Sequence, residues 1–164
     1  MYRHLIIAPL FLVSSLAFAA ESRTDDFIKQ AIEGNLFEVK AGELAQSKAM
    51  SAGVKEFGAM LAKDHADAGT KAIAVAKSVG VTPPKSPSAS QQGVLAAMAK
   101  LEGEQFDENF IKSMLEDHLR DVQRYDTQAK SGNDAVSKYA AETLPALREH
   151  LKTVQGLQNE RSTR

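Results

Sequence analysis

Residues 104–130 read EQFDENFIKSMLEDHLRDVQRYDTQAK, and their pattern decides the fold class. Apolar side chains recur every three or four positions, which is the spacing of one face of an α-helix. These apolar positions are Phe110, Ile111, Met114, Leu115, Leu119, Val122, Tyr125 and Ala129. His118 lies in the middle of the same face. The stretch therefore predicts a long amphipathic helix that turns one polar side chain toward the core.

Three other long stretches have the same periodicity and are rich in Ala, Leu, Lys, Glu and Gln, which favour helix formation. Together with the first stretch they predict four long helices, over residues 25–48, 52–79, 104–130 and 134–158. We expect Thr24 to cap the first helix and Ser51 the second, because a side-chain oxygen at that position accepts a bond from a free backbone N–H.

The segment between the second and third long helices reads GVTPPKSPS over residues 80–88 and holds three of the five prolines. Gly and Pro end helices, so this segment predicts a long connection, and residues 89–101 predict a short helix within it. The first and last connections are tight. This order indicates an all-α fold: a four-helix bundle with a short extra helix in the long connection between the second and third long helices.

Each predicted core face carries one ionisable residue among its apolar side chains. These residues are Glu38, His65, His118 and His150, one on each long helix. The first three lie near the midpoints of their helices, and His150 lies about one turn past its own midpoint. Packed helices of similar length share their midpoints, so we expect all four side chains to meet in one central layer of the bundle.

Such a layer is costly unless its members pair. A charge left alone in an apolar core costs several kcal/mol, or the group becomes neutral through a shift of its pKa. One carboxylate and three imidazoles can hydrogen-bond to one another, or they can jointly bind one Zn, Cu or Fe ion. A carboxylate-bridged di-iron centre is excluded, because it needs Glu three residues before two histidines, where this chain has Ala62, Leu115 and Leu147.

An acidic residue directly precedes each of the three histidines: Asp64, Asp117 and Glu149. Neighbouring residues point about 100° apart around a helix, so these acids are expected at the rim of the core. Asp117, and Asp121 near the central layer, are candidate outer partners of the four central residues. Asp64 and Glu149 are expected to be solvated surface acids.

The composition excludes several functional classes. The 164 residues include 20 Lys and Arg, 21 Asp and Glu, and no Cys or Trp. The near-neutral charge argues against a nucleic-acid-binding protein. The lack of Cys excludes disulfides, thiolate metal sites and thiol catalysis. No nucleophile, oxyanion site or substrate cleft can be recognised, so the sequence assigns no enzymatic reaction.

The N-terminal residues 1–19 predict a secretory signal peptide. Arg3 is followed by an apolar run over residues 5–18 and by the small-residue sequence Ala17-Phe18-Ala19. The run is shorter than the ~20 residues that span a bilayer. We therefore expect cleavage after Ala19, a single helical domain over residues 20–164 without a transmembrane segment, and a location in the periplasm or cell envelope.

Four segments resemble the domain-of-unknown-function 4142 family (DUF4142). They are NLFEVKAGELA (35–45), VKEFGAMLAKDH (54–65), FDENFIKSMLEDH (106–118) and TLPALREHL (143–151). The resemblance implies a ferritin-like four-helix fold in exported bacterial proteins, often labelled as candidate outer-membrane proteins, and it implies no particular reaction. The family pattern keeps an acid at the place of Glu38 and histidines at the places of His65, His118 and His150.

Two functions remain open at this level. The first is a structural or interaction protein of the cell envelope with an unidentified envelope partner, whose central Glu and His residues form a hydrogen-bonded core network. The second is a mononuclear metal-binding protein for storage, buffering or sensing, which uses Glu38, His65, His118 and His150 as ligands. An enzyme with Glu38 as a tuned base is a third and weaker alternative.

Overall fold

A computed structural model of the chain describes the backbone of residues 13–163 and the side chains of residues 23–163. These residues form five α-helices and no β-strand: α1 (Val13–Lys48), α2 (Ala52–Ser78), α3 (Ala89–Met98), α4 (Gly103–Ala129) and α5 (Ala135–Ser162). The all-α prediction is therefore confirmed, with the short α3 in the long connection. Over the same residues, no helix combines the length and the apolar character that crossing a membrane requires.

The four long helices form a bundle in which each helix packs against two neighbours. α1 packs on α2 and α4 packs on α5, while α2 also contacts α5 and α1 also contacts α4. The turn between α1 and α2 lies beside the start of α4 and the end of α5. Every adjacent pair is therefore antiparallel, and the long connection returns the chain to the end of the bundle at which α2 began.

Most helix bounds agree with the sequence prediction within four residues, but the start of α1 does not. α1 begins at Val13, so Thr24 lies inside the helix and is not its N-cap. The physical reason is that residues 13–24 contain Ala, Leu, Glu and Arg but no Gly or Pro to end a helix. Residues 1–12 of the predicted signal peptide lie outside the described residues, and the cleavage after Ala19 stays a prediction.

The start of α2 is stabilised differently from the prediction. Ser51 is the N-cap residue, but its side chain makes no capping hydrogen bond. Asp107 of α4 accepts hydrogen bonds from the backbone N–H groups of Met50 (3.0 Å) and Ser51 (2.8 Å) instead. At the other end of α2, Gly80 has the left-handed φ of +79° that the predicted helix stop requires.

Two apolar clusters fill the bundle, one toward each end. Ile28, Ile32, Tyr125 and Leu147 belong to one cluster, and Phe57, Leu61, Phe110 and Met114 belong to the other. The predicted core position Leu119 is wrong, because this side chain is 50% exposed. Leu119 lies at the edge of its apolar arc, where the rotation of α4 against its neighbours decides burial.

α1 and α2 approach each other so closely that two glycines are needed at the contact. A Cβ atom at Gly42 would overlap the carbonyl oxygen of Gly58 and lie 2.9 Å from the backbone nitrogen of Ala62. A Cβ atom at Gly58 would lie 2.5 Å from the Cβ of Ala45. The contact lies one turn from Glu38 on α1 and one to two turns from His65 on α2, so it limits the separation of these two residues.

Candidate metal centre

The structure brings the four predicted residues together between the two apolar clusters. They are almost completely buried, with exposed fractions of 1% for Glu38, 4% for His65, 0% for His118 and 2% for His150. The three imidazole centroids lie 5.3–5.8 Å apart. Glu38 Oε2 lies 2.7 Å from His65 Nε2 and 3.5 Å from His118 Nε2. One carboxylate and three imidazoles thus share a single layer.

The His65 ring is oriented by Asn35 of α1. His65 Nδ1 lies 2.9 Å from Asn35 Oδ1. The Asn35 amide nitrogen donates to the carbonyl oxygen of Ala31 (2.7 Å), which can only accept, so the orientation of the amide is fixed. Its oxygen therefore accepts a hydrogen bond from Nδ1–H of His65. The lone pair of the ring is then on Nε2, which faces Glu38.

The other two histidines are oriented by different acceptors. His118 Nδ1 donates to the backbone carbonyl of Met114 (3.0 Å), so its lone pair is on Nε2. His150 Nε2 donates to Oδ2 of Asp64 (3.0 Å), so its lone pair is on Nδ1. In each ring, one nitrogen is held by an oxygen of the protein and the other nitrogen carries a lone pair.

These lone pairs have no hydrogen-bond partner among the described residues. The buried atoms without a partner include His65 Nε2, His118 Nε2, His150 Nδ1 and both carboxylate oxygens of Glu38. One nitrogen from each of the three rings lies within 4.8 Å of the other two; Glu38 falls outside this group and is grouped at that distance with Asp117 and Asp121. Acceptors that face one another across such distances repel, unless a proton or a metal ion lies between them.

Burial sets the charge state of the layer. It lowers the pKa of His65 to about 4, and it also lowers the pKa values of His118 and His150, so all three rings are neutral at pH 7. Burial raises the pKa of Glu38 well above its ordinary value; His118 opposes this shift, whereas the carboxylates of Asp117 and Asp121 add to it. Neutral imidazoles are the form that binds metal ions.

The two predicted outer partners lie beside Glu38 rather than beside a ring. Carboxylate oxygens of Glu38, Asp117 and Asp121 lie within 4.8 Å of one another. Asp117 is paired with Arg120, and Asp121 Oδ1 lies 3.2 Å from Arg124 Nη1. Neither aspartate hydrogen-bonds to a histidine in the described part of the chain, so their place next to the layer is as expected but their contacts differ.

Two residues that do hold the rings were missed by the sequence reasoning. The sequence pattern assigns no role to Asn35 and predicts Asp64 to be a solvated surface acid. Asp64 is partly exposed, with 37% of its side chain accessible, and it reaches His150 across the α2–α5 contact. Its position one residue before His65 turns it about 100° from the core, which is the direction of α5. This offset is the feature of the sequence from which a contact between Asp64 and a neighbouring helix could have been predicted.

The sequence model of one family matches residues 13–157, and its description reads "Domain of unknown function (DUF4142)". The match covers most of the chain. The protein belongs to the DUF4142 family. No curated protein and no solved structure matches the chain significantly. The family description names no activity, so a function for this DUF4142 protein has to be argued from the site itself.

Asp121→Asn is expected to stabilise the metal-free DUF4142 protein at pH 7.5 by up to about 3 kcal/mol. Burial raises the pKa of Asp121 from 3.8 to about 6, and Asp117 adds to this shift. A raised folded-state pKa means that folding becomes less favourable as the pH rises from about 4 to 6. Asn removes this cost at neutral pH, and the variant and wild type should converge near pH 4.

Urea unfolding of chelator-treated protein at pH 4, 5 and 7.5 measures this effect. Asp126→Asn on the same helix is the matched control, because the hydrogen bond from Lys130 lowers the pKa of Asp126. Its loss should therefore destabilise the protein by a similar amount at all three pH values, because a lowered carboxyl pKa contributes stability that is lost only below about pH 4; this effect has the opposite sign. A stability difference for Asp121→Asn that is the same at all three pH values would contradict the prediction.

Proposed function

We propose that this protein binds one divalent transition-metal ion through Glu38, His65, His118 and His150, and that it stores, buffers or senses that ion. The observation that carries the proposal is the set of three buried imidazole nitrogens that have lone pairs but no hydrogen-bond partner within the described chain. Histidines that bind metals typically donate their other ring N–H to a carboxylate or carbonyl oxygen, as all three rings do here.

The alternative, a purely structural hydrogen-bonded network, is less well supported. A network needs donors, and each ring N–H in this layer points outward to Asn35, Met114 or Asp64, which leaves a protonated Glu38 as the donor within the layer. Glu38 Oε2 and His65 Nε2 are close enough for a hydrogen bond, yet neither atom has hydrogen-bond geometry to a partner. Convergence without hydrogen bonding is the arrangement that a central cation favours.

The donor set also favours storage, buffering or sensing over catalysis. Three imidazoles and one carboxylate suit Zn²⁺, Cu²⁺ or Fe²⁺, and four protein ligands complete a tetrahedral site. A catalytic zinc site keeps one position open for water or substrate. An ion could enter through a groove of about 320 Å³ between α1 and α2, whose lining includes Asn35, His65 and Gly69.

Two finer features belong to the same proposal. The single long connection between α2 and α4 is typical of ferritin-like bundles, which supports a ferritin-like assignment. The charged, apolar and small-residue order of residues 1–19 supports export to the periplasm or cell envelope. A metal site made of Glu and His needs no cysteine, which agrees with the absence of Cys from the sequence.

Calorimetric titration of the chelator-stripped full chain with Zn²⁺ tests the proposal. We expect one tightly bound ion per chain for the wild type. His65→Ala and Glu38→Ala should each abolish tight binding, because each removes one of four ligands. Circular dichroism of the two variants checks that the helices are retained.

Glu43→Ala is the matched control, since Glu43 lies on the same helix as Glu38 but is exposed. This variant should titrate like the wild type. An unchanged titration after either ligand substitution would eliminate this site, and a wild type that binds neither Zn²⁺, Cu²⁺ nor Fe²⁺ stoichiometrically would overturn the proposed function.

A further inference from the structure

Asn35 lies in a second polar layer, one turn of α1 from Glu38. Its amide nitrogen donates to Ala31 O (2.7 Å) and to Tyr139 Oη (3.1 Å), and its oxygen accepts from His65. Tyr139 Oη lies 3.4 Å from Tyr125 Oη. Asn35, His65, Tyr125 and Tyr139 come from α1, α2, α4 and α5, so this chain of hydrogen bonds joins all four long helices.

The position of the proton on His65 decides what the ring can do. With the proton on Nδ1, as Asn35 requires, Nε2 offers a lone pair toward Glu38. With the proton on Nε2, that nitrogen would present an N–H group instead of a lone pair to the space beside Glu38 Oε2, which lies 2.7 Å away. That tautomer would remove one lone pair from the metal site. The two tautomers of His65 therefore compete, because one leaves a lone pair on Nε2 for the metal site and the other does not.

We infer that Asn35 is a positioning residue that holds the proton of His65 on Nδ1 and thereby keeps the lone pair of Nε2 available to the metal site. The effect of Asn35 on metal affinity rests on the proposed function, whereas the tautomer of His65 can be measured in the metal-free protein. Ala31 fixes the direction of the amide, because its backbone carbonyl can only accept. Tyr139 takes the second amide N–H and leaves that direction unchanged.

The experiment compares the wild type with Asn35→Leu, a variant of similar size without hydrogen-bonding groups. The ¹⁵N chemical shifts of the two His65 ring nitrogens, measured on metal-free full-length protein, distinguish the nitrogen that carries the proton. We expect Nδ1–H in the wild type and Nε2–H in Asn35→Leu. Calorimetric titration should then show 10–100-fold weaker Zn²⁺ binding for the variant, the range for loss of a hydrogen-bond partner of a ligand.

Tyr139→Phe is the matched control. It removes a buried hydroxyl from the same chain of hydrogen bonds but keeps the bond from Asn35 to Ala31, so the proton should stay on Nδ1 and zinc affinity should change less than about 3-fold. The inference is overturned if wild-type His65 carries its proton on Nε2, if Asn35→Leu changes neither the tautomer nor the affinity, or if Tyr139→Phe loses as much affinity as Asn35→Leu.

These outcomes are separable from those of the proposed function. A wild type that binds no zinc, but in which Asn35→Leu still moves the proton of His65, would overturn metal binding and support the role of Asn35. A wild type that binds one zinc ion, but whose His65 carries its proton on Nε2 in the metal-free form, would support metal binding and overturn the role of Asn35.

Discussion

His118→Leu is expected to remove all zinc-dependent stabilisation of the bundle while leaving the metal-free protein at least as stable as the wild type. His118 is completely buried, its Nε2 has no partner in the described chain, and burial lowers its pKa. Leu has a similar volume and no polar atom. Replacing a buried polar group by an apolar one of similar shape is often neutral or stabilising.

The expected size of the effect follows from mass action. An ion present at 100 times its Kd stabilises the folded state by about 2.7 kcal/mol. For a chain of this length, such a change raises Tm by roughly 5–10 °C. Scanning calorimetry in chelator and in excess Zn²⁺ should therefore show this increase for the wild type and none for His118→Leu, since three remaining ligands bind zinc far more weakly.

Met114→Leu is the matched control for this comparison. Met114 lies one turn before His118 on α4 and is equally buried, and exchanging Met for Leu conserves volume. The backbone carbonyl that orients His118 is retained in this variant. Met114→Leu should keep the zinc-dependent rise in Tm. If His118→Leu keeps the same rise as the wild type, His118 is not a ligand.

The fold and the central layer could be predicted because both depend on periodicity and on helix ends. The spacing of Phe110, Ile111 and Met114 fixes the buried face of α4, and His118 shares that face. Gly80 ends α2 as expected, with a left-handed φ. The midpoints of helices with similar lengths coincide in any bundle topology, so the meeting of Glu38 with the three histidines needed no knowledge of which helices are neighbours.

The residues that orient the rings could not be predicted for the opposite reason. Asp64 reaches His150 only because α2 lies next to α5, and Asp121 lies beside Glu38 only because α1 lies next to α4. A long connection such as residues 79–102 leaves this order of neighbours open. The role of Asn35 is still harder to predict from the sequence, because it depends on the rotamer of one amide inside the α1–α2 contact.

A substitution at the α1–α2 contact tests the close packing of these two helices. Gly42→Ala is expected to destabilise the protein by about 3 kcal/mol, toward the upper end of the usual cost of overpacking. The added Cβ would overlap the backbone carbonyl of Gly58 and lie 2.9 Å from the backbone nitrogen of Ala62. Backbone atoms within a helix cannot yield individually, so α1 and α2 would have to move apart.

The same separation should weaken zinc binding. Glu38 lies one turn before Gly42, and His65 lies three residues after Ala62, so moving the helices apart lengthens the 2.7 Å approach of Glu38 Oε2 to His65 Nε2. Zinc titration of the folded fraction of Gly42→Ala should show reduced affinity, although no ligand is altered. Urea unfolding in the presence of chelator measures the loss of unfolding free energy separately from metal binding.

Gly156→Ala separates packing from helix propensity. A Cβ atom at Gly156 of α5 would meet no described atom within 4 Å, so only the gain in helix propensity remains. Alanine in a helix interior is favoured over glycine by about 1 kcal/mol, and this variant should therefore be stabilised. Gly42→Ala carries the same propensity gain, so the difference between the two variants isolates the close approach of α1 to α2. Equal stability of the two variants would mean that α1 and α2 are not in close contact at Gly42.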